Sequence, residues 1–290
     1  MRKFTFSKLL IYGFVSIYTI LCLAPMLLTL MVSFTDESTI MKNGYSFIPQ
    51  KFSLYAYKLM FHDGSSVLNG YIISVGITVI GTLLALTITG LAAYTLSNKH
   101  VKYRNALSLY FFITMIFTSG VVPWYLICRA VGTKDNLFAL LIPNLLFNPF
   151  NLFLVRNFMD GIPDSLRESA TIDGANDVFI AFKIYFPLSI PVLATVGLFY
   201  GLAYWNDWWN AIMLVDNDKL FPIQYLLLQL RSQVQMLREL QFLSRTGTAT
   251  PPAESLKMAT AIITIGPIVI LYPYLQKYFV KGLIVGSVKG

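Results

Sequence analysis

Between two long apolar runs the chain carries Ile162-Pro163-Asp164-Ser165-Leu166-Arg167-Glu168-Ser169-Ala170-Thr171-Ile172-Asp173-Gly174-Ala175, a polar island of about half its length in side chains that water prefers. This stretch announces a helix. Pro163 stops any helix arriving from upstream, and Ser165 with Glu168 has the S-x-x-E spacing of a capping box, in which each side chain satisfies a backbone N–H of the first turn. Asp173-Gly174-Ala175 then breaks the helix, because Gly174 can adopt a positive φ without a Cβ clash. A second short helix is predicted through Ile184, and Pro187 marks the return to apolar sequence. A helix–turn–helix this short and polar cannot cross a bilayer. Its acidic side chains suit a protein partner, and a plain structural connector is the competing reading.

Outward from this island the apolar sequence comes in six runs: Leu9–Val32, Tyr71–Leu96, Ala106–Cys128, Leu137–Phe158, Tyr185–Trp205 and Met258–Phe279. A bilayer-spanning helix needs about 20 mostly apolar residues. Inside lipid every backbone N–H and C=O must be satisfied within the segment, which predicts helices. Short alternating strands, the mark of a membrane β-barrel, do not occur in these runs. Composition agrees: 56% of the 290 residues are hydrophobic, 12% are charged, and the mean hydropathy is +0.63. Soluble domains carry about 25% charged residues, so this chain lacks the polar skin of one. The expected fold is an all-α membrane protein with six transmembrane helices. One transmembrane domain is expected over residues 1–290, with an N-terminal span at 9–32, core spans within 71–279 and the polar loop at 159–184.

Charge placement orients these spans. With the N-terminus in the cytoplasm, each of four inside segments holds three basic residues: Arg2, Lys3 and Lys8; Lys99, Lys102 and Arg104; Arg156, Arg167 and Lys183; Lys277, Lys281 and Lys289. Basic residues in compact loops near the membrane face the cytoplasm, and the outer ones are spread through long loops. Both termini are therefore expected inside, and the pI near 9.3 reflects orientation, not nucleic-acid binding. The first run exceeds a signal-peptide core of 7–15 residues and no A-x-A-like site follows, so it reads as a retained anchor. Cys22 and Cys128 read as packing residues, and neither they nor His62 and His100 form a metal or catalytic spacing.

Two outer loops carry further signals. The one from about Ser33 to Gly70 contains Pro49, several aromatics and a Gly64-Ser65-Ser66 turn. The one over 208–257 begins with aromatics, shows an amphipathic helical pattern over Ile223–Leu243, and ends on Thr246-Gly247-Thr248-Ala249-Thr250-Pro251-Pro252. At the end of the fifth run, Tyr200, Tyr204, Trp205, Asn206, Asp207, Trp208, Trp209 and Asn210 combine rings on which sugar faces stack with amides and a carboxylate for hydroxyls. An aromatic girdle at the membrane interface explains the same rings, though not Asn206, Asp207 and Asn210. Pro123, Pro143, Pro187, Pro191 and Pro267 should each interrupt a helix, as packing kinks or as hinges. Gly76, Gly81 and Gly90 should allow close helix contact.

Glu168-Ser169-Ala170-x-x-Asp173-Gly174-Ala175, followed by Phe186-Pro187-Leu188, resembles the EAA loop of ABC importer permeases, with Ser169 in place of the usual second Ala. The six spans, Trp205–Asn210 and the tail over 280–290 resemble the MalG-like permease subunits of carbohydrate ABC importers. The long insertion around Gln229–Ser255 departs from the maltose-type pattern and resembles the subgroup associated with oligo- and polysaccharide uptake. The resemblance implies a non-catalytic subunit forming half of a pore with a second permease subunit. Two ATPase subunits, which hold ATP and Mg2+, and an extracellular solute-binding protein complete the importer. It implies that Ser165, Glu168, Ser169, Ala170, Asp173, Gly174, Ala175 and Pro187 belong to a coupling helix seated on an ATPase, and that no cofactor or metal is bound by this chain. Glu168 either offers its carboxylate to an ATPase arginine or closes the capping box. Polyamines or peptides would fit the same mechanism. The lack of a G-x-x-x-x-G-K-[ST] sequence leaves nucleotide to a partner, and the nearly uncharged runs disfavour an ion-coupled transporter.

Overall fold

A computed structural model describes residues 6–61, 64–244 and 252–287; Arg2, Lys3, His62, Lys289 and residues 246–251 of the expected turn lie outside them. The chain begins with the long helix α1 (Phe6–Ser33), the short α2 (Glu37–Asn43) and α3 (Tyr55–Met60), and the 34-residue α4 (Gly64–Ser97). Next come α5 (Arg104–Ile116), α6 (Val121–Ala130), α7 (Leu137–Leu141), α8 (Pro149–Met159), α9 (Asp164–Ile172) and α10 (Asp177–Ile180). A π-helical turn over Ala181–Tyr185 leads into α11 (Phe186–Leu188), followed by α12 (Ile190–Trp205), α13 (Trp209–Leu214), α14 (Ile223–Ser244) and α15 (Ala253–Ser287). Among the described residues the one extended pairing is an isolated bridge between Thr35 and Phe52, so the fold is all-α.

Three helices are long and apolar enough to span a membrane, or five if each of two bent pairs is one span. The continuous ones are α1, α4 and α15. The remaining three runs are not single helices, and proline accounts for each break. A proline inside a helix removes one N–H and clashes with the carbonyl four residues earlier. The third run breaks at Phe117–Gly120, where α5 and α6 meet at 119°, with Gly120 at φ 78° and Pro123 in the first turn of α6. The fourth run splits at Pro143: α7 stops at Leu141, Asn144 takes φ 63°, and α8 restarts with Pro149 in its first turn. In the fifth run the helix widens into the π turn before Pro187, then bends by 85° into α12, which carries Pro191 in its first turn. Only Pro267 of the five expected breakers lies inside a continuous helix. The expected Gly64-Ser65-Ser66 turn is instead the first turn of α4, which extends beyond its apolar stretch. The amphipathic pattern over Ile223–Leu243 is α14.

The described chain falls into two compact units, one of residues 1–67 and 227–269, the other of residues 68–226 and 270–290. In the second, a core of Ala85, Ala93, Leu152, Val155, Val196 and Tyr200 joins α4, α8 and α12, and a smaller cluster gathers Ile77, Cys128, Leu140 and Leu214. Small residues on α4 set the spacing: a Cβ on Gly81 would strike the Tyr204 ring, and one on Gly90 would lie 2.5 Å from Phe186. Gly76, by contrast, meets nothing within 4 Å.

In the first unit α1 leaves most of its apolar side chains from Leu10 to Leu27 exposed, as a lipid-facing helix does. Phe34 stacks on Phe52 and Tyr57, at ring distances of 5.5 and 5.2 Å. The buried carboxylate of Glu37 accepts the N–H groups of Glu254 and Ser255, each at 3.0 Å, and so caps α15 from a distant part of the chain. Steric contact at Gly81 predicts that Gly81→Val lowers the melting temperature of the detergent-solubilised protein, through overpacking of about 1–3 kcal/mol or more. Gly76→Val, on the same helix, should leave it within a degree or two.

Candidate functional site

The polar loop builds its helices differently at its two ends. Asp164 is the first residue of α9, and Pro163, at φ −59° and ψ 129°, occupies the cap position without a side-chain bond to the first turn. Ser165 is already helical and cannot act as the cap, so the capping box expected with Glu168 does not form. Asp164 takes the place near the helix N-terminus that favours negative charge, and Lys99 Nζ meets its Oδ2 at 2.7 Å. Lys99 holds the Asp164 carboxyl below the usual carboxylate range. The C-terminal end follows the expected chemistry. Gly174 has φ 81°, its N–H bonds to the Thr171 carbonyl at 3.0 Å, and the Ala175 N–H bonds to the Ala170 carbonyl at 2.9 Å. Together these form a Schellman motif. Asn176 then caps α10 by accepting the Phe179 N–H at 2.8 Å.

The loop is fastened to α4. Tyr94 near the end of α4 donates its hydroxyl to Asp177 Oδ1 at 3.0 Å and meets the Tyr185 ring edge-on at 4.9 Å. Arg167 is buried beneath α9, in electrostatic range of both tyrosine hydroxyls. Ala170 and Ala175 pack on the core. Ser165, Glu168, Ser169, Asp173 and Gly174 are exposed, and beside them stand exposed apolar side chains: Leu166, Val178, Phe179 and Ile172, the last 86% accessible. Pro187 lies in α11 at the entrance to the bend, away from α9 in the chain. Sequence reading missed Tyr94, Lys99 and Arg167, whose roles depend on long-range contacts. The exposed apolar residues among the charges were a signal available in the sequence.

The aromatic and amide group at the end of α12 divides in two. Tyr200, Tyr204, Trp205 and Asn210 are buried in this chain, whereas Asn206, Trp208 and Trp209 are exposed and Asp207 is half-buried. The Tyr200 hydroxyl lies 2.7 Å from Thr89 Oγ1 and accepts the Asn148 N–H at 3.0 Å. Tyr204 donates to the Leu141 carbonyl at 2.7 Å, and Asn210 Nδ2 donates to the Pro143 carbonyl at 2.9 Å. These two bonds satisfy carbonyls in the broken fourth run. Tyr200, Tyr204 and Asn210 thus spend their polar atoms on packing this chain, although Asn210 Oδ1 and Asp207 Oδ2 are buried without partners. Asn206 donates to the Leu202 carbonyl at 2.8 Å, and Trp208 and Trp209 meet edge-to-face at 5.8 Å. Nearby, Asp135 accepts the N–H groups of Asp216 and Asn217, and Lys134 pairs with Asp216 at 2.9 Å, clasping two loops.

Residues 86–285, which include the bent helices, the polar loop and the aromatic group, match the family model described as the binding-protein-dependent transport system inner membrane component. The chain belongs to this family. It is a membrane-embedded transport component. Among its relatives, the polygalacturonan/rhamnogalacturonan transport system permease protein YtcP of Bacillus subtilis is 38% identical over 97% of this chain and 98% of its own length. Protein LplC of Bacillus subtilis is 37% identical over 100% of this chain and 96% of its own. A solved bacterial ABC transporter involved in import of the acidic polysaccharide alginate contains a chain that superposes with a TM-score of 0.80 and 27% identity, covering 96% of this chain and all of that one.

In this permease Tyr204→Phe keeps the ring against Gly81 but leaves the Leu141 carbonyl without its donor, and Asn210→Ala does the same to Pro143. Each should destabilise the purified permease by about 1–3 kcal/mol, read as a fall in melting temperature. Trp208→Phe, altering an exposed ring, should leave it unchanged.

Proposed function

We propose that this permease forms half of the translocation pore of an ATP-driven, binding-protein-dependent importer of oligo- or polysaccharides. Its other half is a second, different permease subunit. Two ATPase subunits bind ATP and Mg2+, and an extracellular solute-binding protein delivers the saccharide. The chain itself transports without catalysing a reaction. It crosses the membrane six times as a single transmembrane domain over residues 1–290, with both termini in the cytoplasm; the third and fifth crossings are the bent pairs, and the fourth is α7 with α8. The polar loop at 159–184, between the fourth and fifth crossings, faces the ATPase, the 208–257 loop faces outward, and the 280–290 tail lies inside.

The observation that carries this reading is α9 itself: a short helix whose outer face mixes Glu168, Ser169 and Asp173 with exposed Leu166 and Ile172, while Lys99, just past the end of α4, pairs with its Asp164 and Tyr94 of α4 holds Asp177 of the adjoining α10. An apolar patch rimmed by charge is the composition of a protein-docking surface. Pinned to a continuous spanning helix, it passes movement of an ATPase to the pore as a rigid lever. Ser165, Gly174 and Ala175 belong to this docking element, with Ala170 as its packed underside and Pro187 at its hinge. Pore-facing contacts with saccharide fall to the accessible members of the outer group, Asn206, Asp207, Trp208 and Trp209, and Tyr200, Tyr204, Trp205 and Asn210 shape the wall behind them. The saccharide class is supported by the relatives' substrates, which include polygalacturonan and alginate.

The test is co-purification of the tagged permease from native membranes, followed by identification of what accompanies it. A second permease and an ATPase should be recovered. Glu168→Lys combined with Gly174→Trp should lose the ATPase, with uptake falling at least about tenfold, while the second permease is retained. A folded permease recovered alone would refute the reading.

A further inference from the structure

In the unit of residues 1–67 and 227–269, α14, α15 and Met41 line an open cavity of about 860 Å³ whose polar lining includes Arg238, Glu254 and the exposed Arg231, Gln235, Glu239 and Lys257. That volume lies in the range of small-molecule sites, roughly 300–1,000 Å³. Three cations face two carboxylates, and the pairing is uneven. Glu254 takes Arg238 Nη1 at 3.2 Å and the Tyr45 hydroxyl at 2.8 Å, and Lys257 Nζ stands 4.0 Å from it. Glu239 accepts from Gln235 Nε2 at 3.4 Å. The Arg231 side chain has no ion pair or hydrogen bond with any described residue, and the Lys257 side chain is half exposed. Positive charge is therefore in excess along this open concavity.

We infer that this cavity binds the carboxylate of a uronate-bearing oligosaccharide, with Arg231 as its main partner and Lys257 as the second. A guanidinium offers a planar pair of donors matched to a carboxylate, and Arg231 is the guanidinium left free to do so. Gln235 supplies amide chemistry for neighbouring hydroxyls. Arg238, held by Glu254, keeps the cavity wall in place. The concave shape fits a saccharide unit better than a side chain on a broad protein surface. This inference rests on the importer reading, from which the outward position of α14 and the saccharide class are taken, and it adds the acidic character of the solute and a site for it.

The whole importer in lipid nanodiscs, without its binding protein, would be titrated calorimetrically with tri-galacturonate and with the neutral galactose trimer of the same linkage. The acidic trimer should bind about tenfold or more tightly than the neutral one, and less so at high salt. Arg231→Gln should reduce acidic-trimer affinity by about tenfold and leave neutral-trimer affinity unchanged, whereas Arg231→Lys should retain most of it. Equal affinity for the two trimers, no binding of either, or no effect of Arg231→Gln would overturn the inference. So would Arg231→Gln weakening capture of the solute-binding protein alone, which would make the cavity a protein-docking surface. Uptake separates the two readings: an importer that carries neutral oligosaccharides and excludes acidic ones overturns the uronate site only, and one that carries no saccharide overturns the importer.

Discussion

Everything in this permease depends on satisfying backbone hydrogen bonds where water is scarce. An unbroken helix meets that requirement by itself, and α1, α4 and α15 do so. The other apolar runs break, and each break frees carbonyls that the bilayer cannot solvate. In the fourth run the answer is local and specific: Tyr204 and Asn210 reach over from α12 and α13 to the carbonyls of Leu141 and Pro143. Irregular backbone in this run is tolerated because neighbouring side chains of the chain satisfy it. Gly81 makes the arrangement possible by leaving room for the Tyr204 ring beside α4.

The same helix, α4, organises the polar loop. Its end carries Tyr94, which holds Asp177, and the turn just after it carries Lys99, which holds Asp164. Exposed ion pairs such as Lys99–Asp164 contribute little stability alone. Acting with the buried Tyr94 and Arg167, this pair fixes the orientation of the two short helices against α4. Clamped at both short helices, the loop is joined to the core formed by α4, α8 and α12.

Residue types behave in characteristic ways across the two regions. Side chains whose roles depend on backbone conformation were legible in advance: Gly174 takes the positive φ expected of it, and α9 stops there. Prolines broke the runs, although three of the five, Pro123, Pro187 and Pro191, stand in the first turn of a helix, a position where the missing N–H does no harm. The capping box at Ser165 and Glu168 was a local inference that did not hold, because α9 starts at Asp164 with Pro163 in the cap position and Ser165 already inside the helix. The aromatic and amide group was harder. Its composition suits both a saccharide and a structural role, and the structure assigns Tyr200, Tyr204 and Asn210 hydrogen bonds within the chain while leaving Trp208 exposed.

By itself the sequence determined the membrane setting, the helical class, the polar helix–turn–helix and the family, because hydropathy, turn chemistry and a short motif are properties of neighbouring residues. Tertiary structure alone decided that Tyr204 and Asn210 are spent on stray carbonyls, how the loop is tied to α4, and that Arg231, Arg238 and Lys257 meet around one cavity. Those outcomes join residues tens to more than a hundred positions apart, and the energy of a hydrogen bond or a packed ring depends on who arrives opposite it, which no local pattern encodes.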